Sequence, residues 1–153
     1  MIPCVRLVSR FLTDRLQNNN NGMDLTQQNS LDYMQFLSQH AAQNKLAIGL
    51  KNALEIVPNV INLVQFSVNE QCVEYSECDT LSPMIAANKA VFHIEYPKGT
   101  PNDVSTDTMN EICSGTGKSA GISGFSTAIK KMDLDGWTEY CGGTTATTSL
   151  NTS

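Results

Sequence analysis

Long apolar runs are missing from this sequence, and none approaches the ~20 residues that a membrane-spanning helix needs. The apolar stretch at the amino terminus is interrupted by Arg6 and Arg10, which rules out the core of a signal peptide there. We therefore expect no membrane partner and no export signal within these residues.

Basic residues are also scarce, since 10 lysines and arginines stand against 15 acidic residues and the formal net charge is −5. Such a surface repels phosphate backbones, so we expect no nucleic-acid partner and a neutral or cationic substrate. Only 2 histidines are present, and no CxxC pair occurs. These residues offer little for a zinc or redox centre, and we expect neither a metal nor a cofactor.

The 5 cysteines point to an oxidising compartment, and hence to a secreted, extracellular protein. Our preferred interpretation pairs Cys72 with Cys78 and Cys113 with Cys141, which are neighbours in sequence, and leaves Cys4 over. Four paired cysteines allow three connectivities, and the sequence does not choose among them. The alternative is a reduced cytosolic protein with buried thiols.

Helical and strand-like patterns alternate after an asparagine-rich turn at residues 17–22. Thr26 is a candidate N-cap for a helix that Asn44 can end, with apolar residues at helical spacing at Leu31, Met34, Leu37 and Ala41. Short apolar runs that end in polar residues predict three strands, at 46–50, 66–68 and 90–96. A second apolar helical face lies between the first two strands, with Pro58 as its one discordant residue, and a short helix at 80–87 follows the second.

The carboxyl-terminal third has a weaker pattern. It predicts a turn of helix near Met109, a fourth strand at 120–123, and a last helix or half-ordered segment at 125–137. The Thr/Ser-rich residues 142–153 predict a disordered tail.

This alternation indicates βα units on a parallel sheet, and strands that end in charged or amide residues favour a closed (β/α)8 barrel. Such a barrel needs eight strands and typically about 250 residues, so three or four strands make roughly half of one. The first strand, at 46–50, has no predicted partner strand before it.

Polar residues at these strand ends are candidates for glycosidic-bond cleavage, which needs two carboxyl groups. Glu70 and Glu95 end the second and third strands, and Lys51 and Asn52 end the first. Each also has an ordinary structural interpretation, as a surface or ion-paired residue, and His93 is equally a core histidine.

The same segments closely resemble glycoside hydrolase family 114. The resemblance rests on IGLKN at 48–52, VNEQCVEYSEC at 68–78 and KAVFHIEY at 89–96, with LTQQ at 25–28, LDY at 31–33, FST at 125–127 and LDGW at 134–137. It covers residues 17–141.

The resemblance implies a secreted TIM-type barrel that acts as an endo-α-1,4-polygalactosaminidase, in a family whose members are often labelled α-galactosidases. The implied substrate is a galactosamine-containing polysaccharide, whose cationic charge suits the acidic balance of this chain. Glu70, in the NEQC motif, matches one catalytic carboxylate of the family. The strand ends and the resemblance together make Lys51, Asn52, Asn69, Glu95 and Tyr96 the candidate substrate-binding residues.

The second carboxylate of the family is an aspartate in an Asp-Asn-Val-Asp-type motif, and this chain departs from that motif. Phe11 falls where the first aspartate should be, and Asp14 most resembles the second. We interpret residues 1–16 as a non-native or wrongly assigned segment, 17–141 as the carboxyl-terminal half of the barrel, and 142–153 as the tail. The chain is then expected to be inactive by itself, and the alternative is a non-catalytic pseudo-hydrolase that at most binds carbohydrate.

Two further features each allow two interpretations. Glu74, Glu77 and Asp79 cluster with Tyr75 just after Glu70, either as a negative rim that attracts a cationic sugar chain or as a solvated loop. Trp137 either stacks on a sugar ring or closes the core.

Overall fold

The computed structural model describes residues 6–8 and 25–150. The predicted mixed α/β fold is confirmed in this part of the chain. Its strands are β1 Arg6–Val8, β2 Ile48–Lys51, β3 Phe66–Glu70, β4 Ala90–Glu95, β5 Ser126–Ile129, β6 Trp137–Tyr140 and β7 Thr145–Thr147. Its α-helices are α1 Gln27–Gln43, α2 Val57–Val60, α3 Ser82–Ala86 and α4 Thr106–Cys113, with 3-10 turns at Leu54–Ile56, Cys78–Leu81 and Gly117–Ser119. Among the described residues, every helix is too short or too polar to span a bilayer.

The chain forms two compact units. Unit 1 comprises Met1–Val68 and Pro83–Val91, and unit 2 comprises Asn69–Ser82 and Phe92–Ser153.

Unit 1 contains a ladder of parallel strands. β1 pairs with β2, with Leu7 opposite Gly49, and β2 pairs with β3, with Gly49 opposite Phe66. The expectation that the strand near 46–50 lacks a preceding partner is therefore wrong, because a three-residue strand such as β1 is too short to show a pattern in sequence. A Cβ on Gly49 would collide with the Phe66 ring, so a larger residue at this position would require the ring to move.

Helix α1 begins and ends where its sequence predicts. Thr26 Oγ1 accepts from the Asn29 N–H at 3.4 Å, and Asn29 Oδ1 accepts from the Thr26 N–H at 2.8 Å, which together form a capping box. At the other end, Asn44 Nδ2 donates to His40 O at 2.8 Å. Met34 and Ala41 of the predicted apolar face are buried.

The second predicted helix is shorter than its apolar spacing indicated. A 3-10 turn, Leu54–Ile56, leads into the single turn of α2, and Pro58 lies in that first turn. Proline is tolerated there because the N–H that it lacks would have no helical partner, so Pro58 fits the pattern after all. Lys89 Nζ donates to Ile61 O and, at 2.6 Å, to Val64 O, which satisfies carbonyls that follow this short helix.

Unit 2 contains a mixed ladder. β5 pairs in parallel with β4, and antiparallel pairs follow from β5 to β6 and from β6 to β7. Three predictions are corrected here. Residues 120–123 are not a strand, the segment 125–137 holds strand β5 rather than a helix or half-ordered segment, and residues 145–147 of the predicted tail form β7. The spacing of Phe125, Ile129 and Met132 imitates a helix, but pairing with β4 decides the outcome.

Two disulfides lie in unit 2, Cys72–Cys78 and Cys113–Cys141, which confirms the preferred pairing. Their buried neighbours form one apolar cluster of Cys72, Val73, Cys78, Ile112, Ile122 and Ile129. Lys130 Nζ ties the β5–β6 connection by donating to Asp135 O at 3.0 Å and Trp137 O at 2.9 Å. In the same connection, the ion pair of Lys131 with Asp135 raises the pKa of the lysine and lowers the pKa of the aspartate.

Candidate active site

Glu70 and Tyr96 meet in unit 2 at the carboxyl ends of two strands. Glu70 is the last residue of β3, Tyr96 directly follows β4, and the phenol donates to Glu70 Oε1 at 2.7 Å. Both side chains are half-buried, so this hydrogen bond fixes the orientation of the carboxylate while the pair stays within reach of solvent. The structure thus brings two of the predicted site residues into contact.

The side chain of Glu95 points in a different direction from that of its neighbour Tyr96, because successive side chains of a strand point to opposite faces. Val91, His93 and Glu95 are buried on one face of β4, whereas Phe92 on the other face is 45% exposed. Glu95 Oε1 accepts from the Val73 N–H at 2.7 Å and lies 2.8 Å from His93 Nε2. Glu95 therefore bonds to the loop that follows Glu70.

His93 is the centre of this buried network. Its ring is fully buried, and Nδ1 lies 3.1 Å from Thr127 Oγ1 on the neighbouring strand β5. It therefore links Glu95 to β5, as a satisfied core histidine. The sulfurs of Cys72 and Cys78 also lie near this ring, but a disulfide has no thiolate to offer a metal ion.

The loop after Glu70 is held to β4 at two points. The Gln71 N–H donates to Ile94 O at 2.8 Å, and the Val73 N–H donates to Glu95 as described. The Cys72–Cys78 disulfide closes the same loop. The backbone around Glu70 is thereby fixed on its carboxyl-terminal side, which suits a residue that must keep one geometry during a reaction.

A cavity of about 460 Å³ lies beside this loop, entirely within unit 2. Its lining comes from the loop after β3, the segment after β4, and helix α4, namely Gln71, Val73, Glu74, Glu95, Tyr96, Pro97, Lys98, Gly99, Thr100, Thr108, Glu111, Ile112, Lys118 and Met132. Sequence patterns pointed to Glu74, Glu95 and Tyr96 but missed the contribution of α4 and of Lys118. No strand-end signal marks those residues, because they reach the cavity from a helix and a turn.

The remaining predicted binding residues are distributed over both units. Lys51 ends β2 in unit 1, and the following Asn52 has a left-handed backbone (φ 55°) and donates its N–H to Val68 O at 2.8 Å. Asn69 lies in unit 2 and is 1% exposed, on the opposite side of β3 from Glu70.

The acidic loop and the tryptophan have distinct environments. Tyr75 is 62% exposed, and Glu74 Oε2 accepts from Gln71 Nε2 at 2.6 Å. Trp137 is half-buried against the apolar cluster of unit 2, which favours its interpretation as a core residue. Cys4, Phe11 and Asp14 lie outside the described residues, so the structure places neither the fifth cysteine nor the family's second carboxylate.

Comparison with known proteins adds three findings. The model of the glycoside-hydrolase family GH114 matches residues 10–146. The crystal structure of Aspergillus fumigatus Ega3 in complex with galactosamine is similar to this chain, with 44% sequence identity and a TM-score of 0.71. That similarity covers 84% of this chain and 52% of the other, so the chain spans about half the length of the protein that it matches. Among curated proteins, none matches significantly.

Proposed function

The chain belongs to glycoside-hydrolase family GH114, and on that premise we propose that it serves the endo-cleavage of α-1,4-linked, galactosamine-containing polysaccharide. The hydrogen-bonded pair of Glu70 and Tyr96 at adjoining strand ends carries this proposal. Two further observations support the substrate class. The similar crystal structure is a galactosamine complex, and the net charge of −5 suits a cationic polymer.

Glu70 supplies one of the two carboxyl groups that hydrolysis of a glycosidic bond requires, as acid, base or nucleophile. Tyr96 orients it through the 2.7 Å hydrogen bond, which restricts the carboxylate to one geometry. Lys51, Asn52 and Asn69 are proposed as further residues that bind the sugar chain. The second carboxylate is proposed to come from the amino-terminal side, where Asp14 is the candidate in this sequence.

We propose that the parallel strands are part of a (β/α)8 barrel wall. The burial of β4 supports this interpretation. One face of the strand is buried, whereas Phe92 on the other face is 45% exposed, and a complete barrel would cover that second face as well. Because the match covers 52% of the relative, full turnover is proposed to belong to the complete barrel and little of it to these residues alone. The two disulfides support secretion of the protein.

The test is an assay of α-1,4-galactosamine polymer with the proposed complete protein, meaning this chain together with the rest of the proposed barrel, and with the 153-residue chain in parallel. The size of the polymer is followed by chromatography, and new reducing ends are counted. We expect the complete protein to shorten the polymer internally and the chain alone to bind it with little cleavage. A fully N-acetylated polymer is the control, which we expect to be cleaved more slowly. If the complete protein leaves the galactosamine polymer intact, the proposal is wrong and the carbohydrate-binding alternative replaces it.

A further inference from the structure

The cavity in unit 2 contains a buried carboxylate with one oxygen unused. Glu95 is 3% exposed and lines this cavity. Both of its side-chain hydrogen bonds, from Val73 and with His93, end on Oε1. Among the described residues none donates to Oε2, which is left as an acceptor at the cavity wall.

A negative charge is not needed for the two bonds that Glu95 makes. The amide oxygen of a glutamine has two lone pairs and would accept both hydrogen bonds equally well. A buried carboxylate costs free energy unless a positive group or further donors compensate it. The unused Oε2 therefore suits a cationic donor that enters the cavity.

The other charged groups of the cavity are already engaged or reach solvent. Glu74 accepts from Gln71 Nε2, and Glu111 pairs with Lys118 at 3.3 Å. Lys98 is exposed. Its side chain therefore remains solvated rather than neutralising Glu95. The carboxylates outnumber the ammonium groups, and a volume of about 460 Å³ accommodates a single sugar ring.

We propose that this cavity binds the free ammonium group of one hexosamine residue, with Glu95 Oε2 as the acceptor that distinguishes an amine from an acetamide. The proposal rests on the proposed function for the nature of the polymer. An ammonium group forms a charge-assisted hydrogen bond with the carboxylate, whereas an N-acetyl group is neutral, bulkier and has a single N–H. Glu95 is thereby assigned to specificity, and Glu70 to the reaction itself.

The test measures binding rather than turnover, so it does not depend on whether the chain hydrolyses anything. The intact chain is titrated with galactosamine, N-acetylgalactosamine and galactose at a pH where the amine is charged, and amide NMR signals of Val73 and Thr108 locate the ligand. We expect galactosamine to bind about tenfold or more tightly than either neutral sugar, with both amides shifting. Equal binding of the three sugars, or binding that leaves both amides unshifted, overturns the proposal.

Three variants separate the possible causes. Glu95→Gln keeps an acceptor for Val73 and His93, and its fold is checked by thermal unfolding; we expect the preference for galactosamine to disappear. Asp107→Asn removes one exposed acid from α4 outside the cavity, and we expect the preference to remain. Glu70→Gln is expected to keep the preference in this chain while hydrolysis by the complete protein is lost, which distinguishes failure of this site from failure of the proposed reaction. If Glu95→Gln retains the preference, Glu95 only holds Val73 and His93 and the proposal is wrong.

Discussion

Glu70 and Tyr96 form the contact on which the proposed chemistry depends. The hydrogen bond from the phenol to Oε1 is 2.7 Å long, within the range of charge-assisted O–H···O bonds. It ties a carboxylate at the end of β3 to the residue that follows β4. A rate change on its removal would therefore report on the orientation of Glu70.

Tyr96→Phe removes the hydroxyl and keeps the ring, so the apolar contacts of the side chain persist. We expect kcat on galactosamine polymer to fall about tenfold in the complete protein, because a hydrogen bond to a charged group is lost. KM and the thermal midpoint should change little. Tyr75→Phe is the matched control, since Tyr75 is 62% exposed on the loop after Glu70, and its kcat should stay at the parent value. Equal losses in the two variants would show that Tyr96 does not orient Glu70.

At this scale the sequence identified some residues and missed others. The NEQC motif singled out Glu70 because its residues resemble a family motif. The hydrogen-bond network of Glu95 could not be predicted from a motif. The Val73 N–H that donates to it lies 22 residues earlier, and only the fold of the loop brings the two together. The position of a glutamate at a strand end does not show to which face it turns.

Among the elements, the loop closed by Cys72 and Cys78 stands out because it begins two residues after Glu70. Its disulfide closes a short loop, whereas Cys113–Cys141 spans 28 residues. Closing a longer loop removes more entropy from the unfolded chain, so the two disulfides are expected to differ in their effect on stability. They also differ in distance along the chain from the proposed catalytic residue.

Replacing each pair by serines separates stability from function. By the chain-entropy estimate, loss of Cys113–Cys141 costs about 3–4 kcal/mol and loss of Cys72–Cys78 about 2–3 kcal/mol of unfolding free energy. We expect the opposite order for activity, with the larger loss of kcat in the Cys72→Ser, Cys78→Ser variant. Denaturant unfolding and polymer assays on the complete protein measure the two quantities. If kcat instead falls most in the variant that loses the most unfolding free energy, the loop does not position Glu70.

The elements themselves were predictable where local signals were strong. Helix α1 has a capping box and a regular apolar face, and β3 and β4 are apolar runs with polar ends. Strand β5 was missed because Ser126–Ile129 is four residues long and its apolar neighbours have helical spacing. Strand β7 was missed because three exposed residues have no pattern, and only pairing with β6 defines it.

At the level of the whole molecule, the chain belongs to GH114 and spans 52% of the length of the relative that it matches. A glycosidase needs two carboxyl groups. Among the described residues, Glu70 is the carboxylate that lies in a motif resembling that of the family. The barrel proposal is supported by parallel pairing in each unit and by the one-sided burial of β4. Sequence alone suggested the fold class but could not show which face of each strand is covered.

The role of Glu70 as a catalytic carboxylate is tested most directly by the rate at which the Glu70→Gln variant of the complete protein cleaves galactosamine polymer. The substitution is nearly isosteric, so the thermal midpoint should stay close to that of the parent while kcat falls at least about 100-fold. Glu55→Gln, an exposed carboxylate on the turn after β2, is the matched control and should retain the parent rate. A Glu70→Gln variant that cleaves within a few-fold of the parent would contradict the assignment of Glu70 as a catalytic carboxylate.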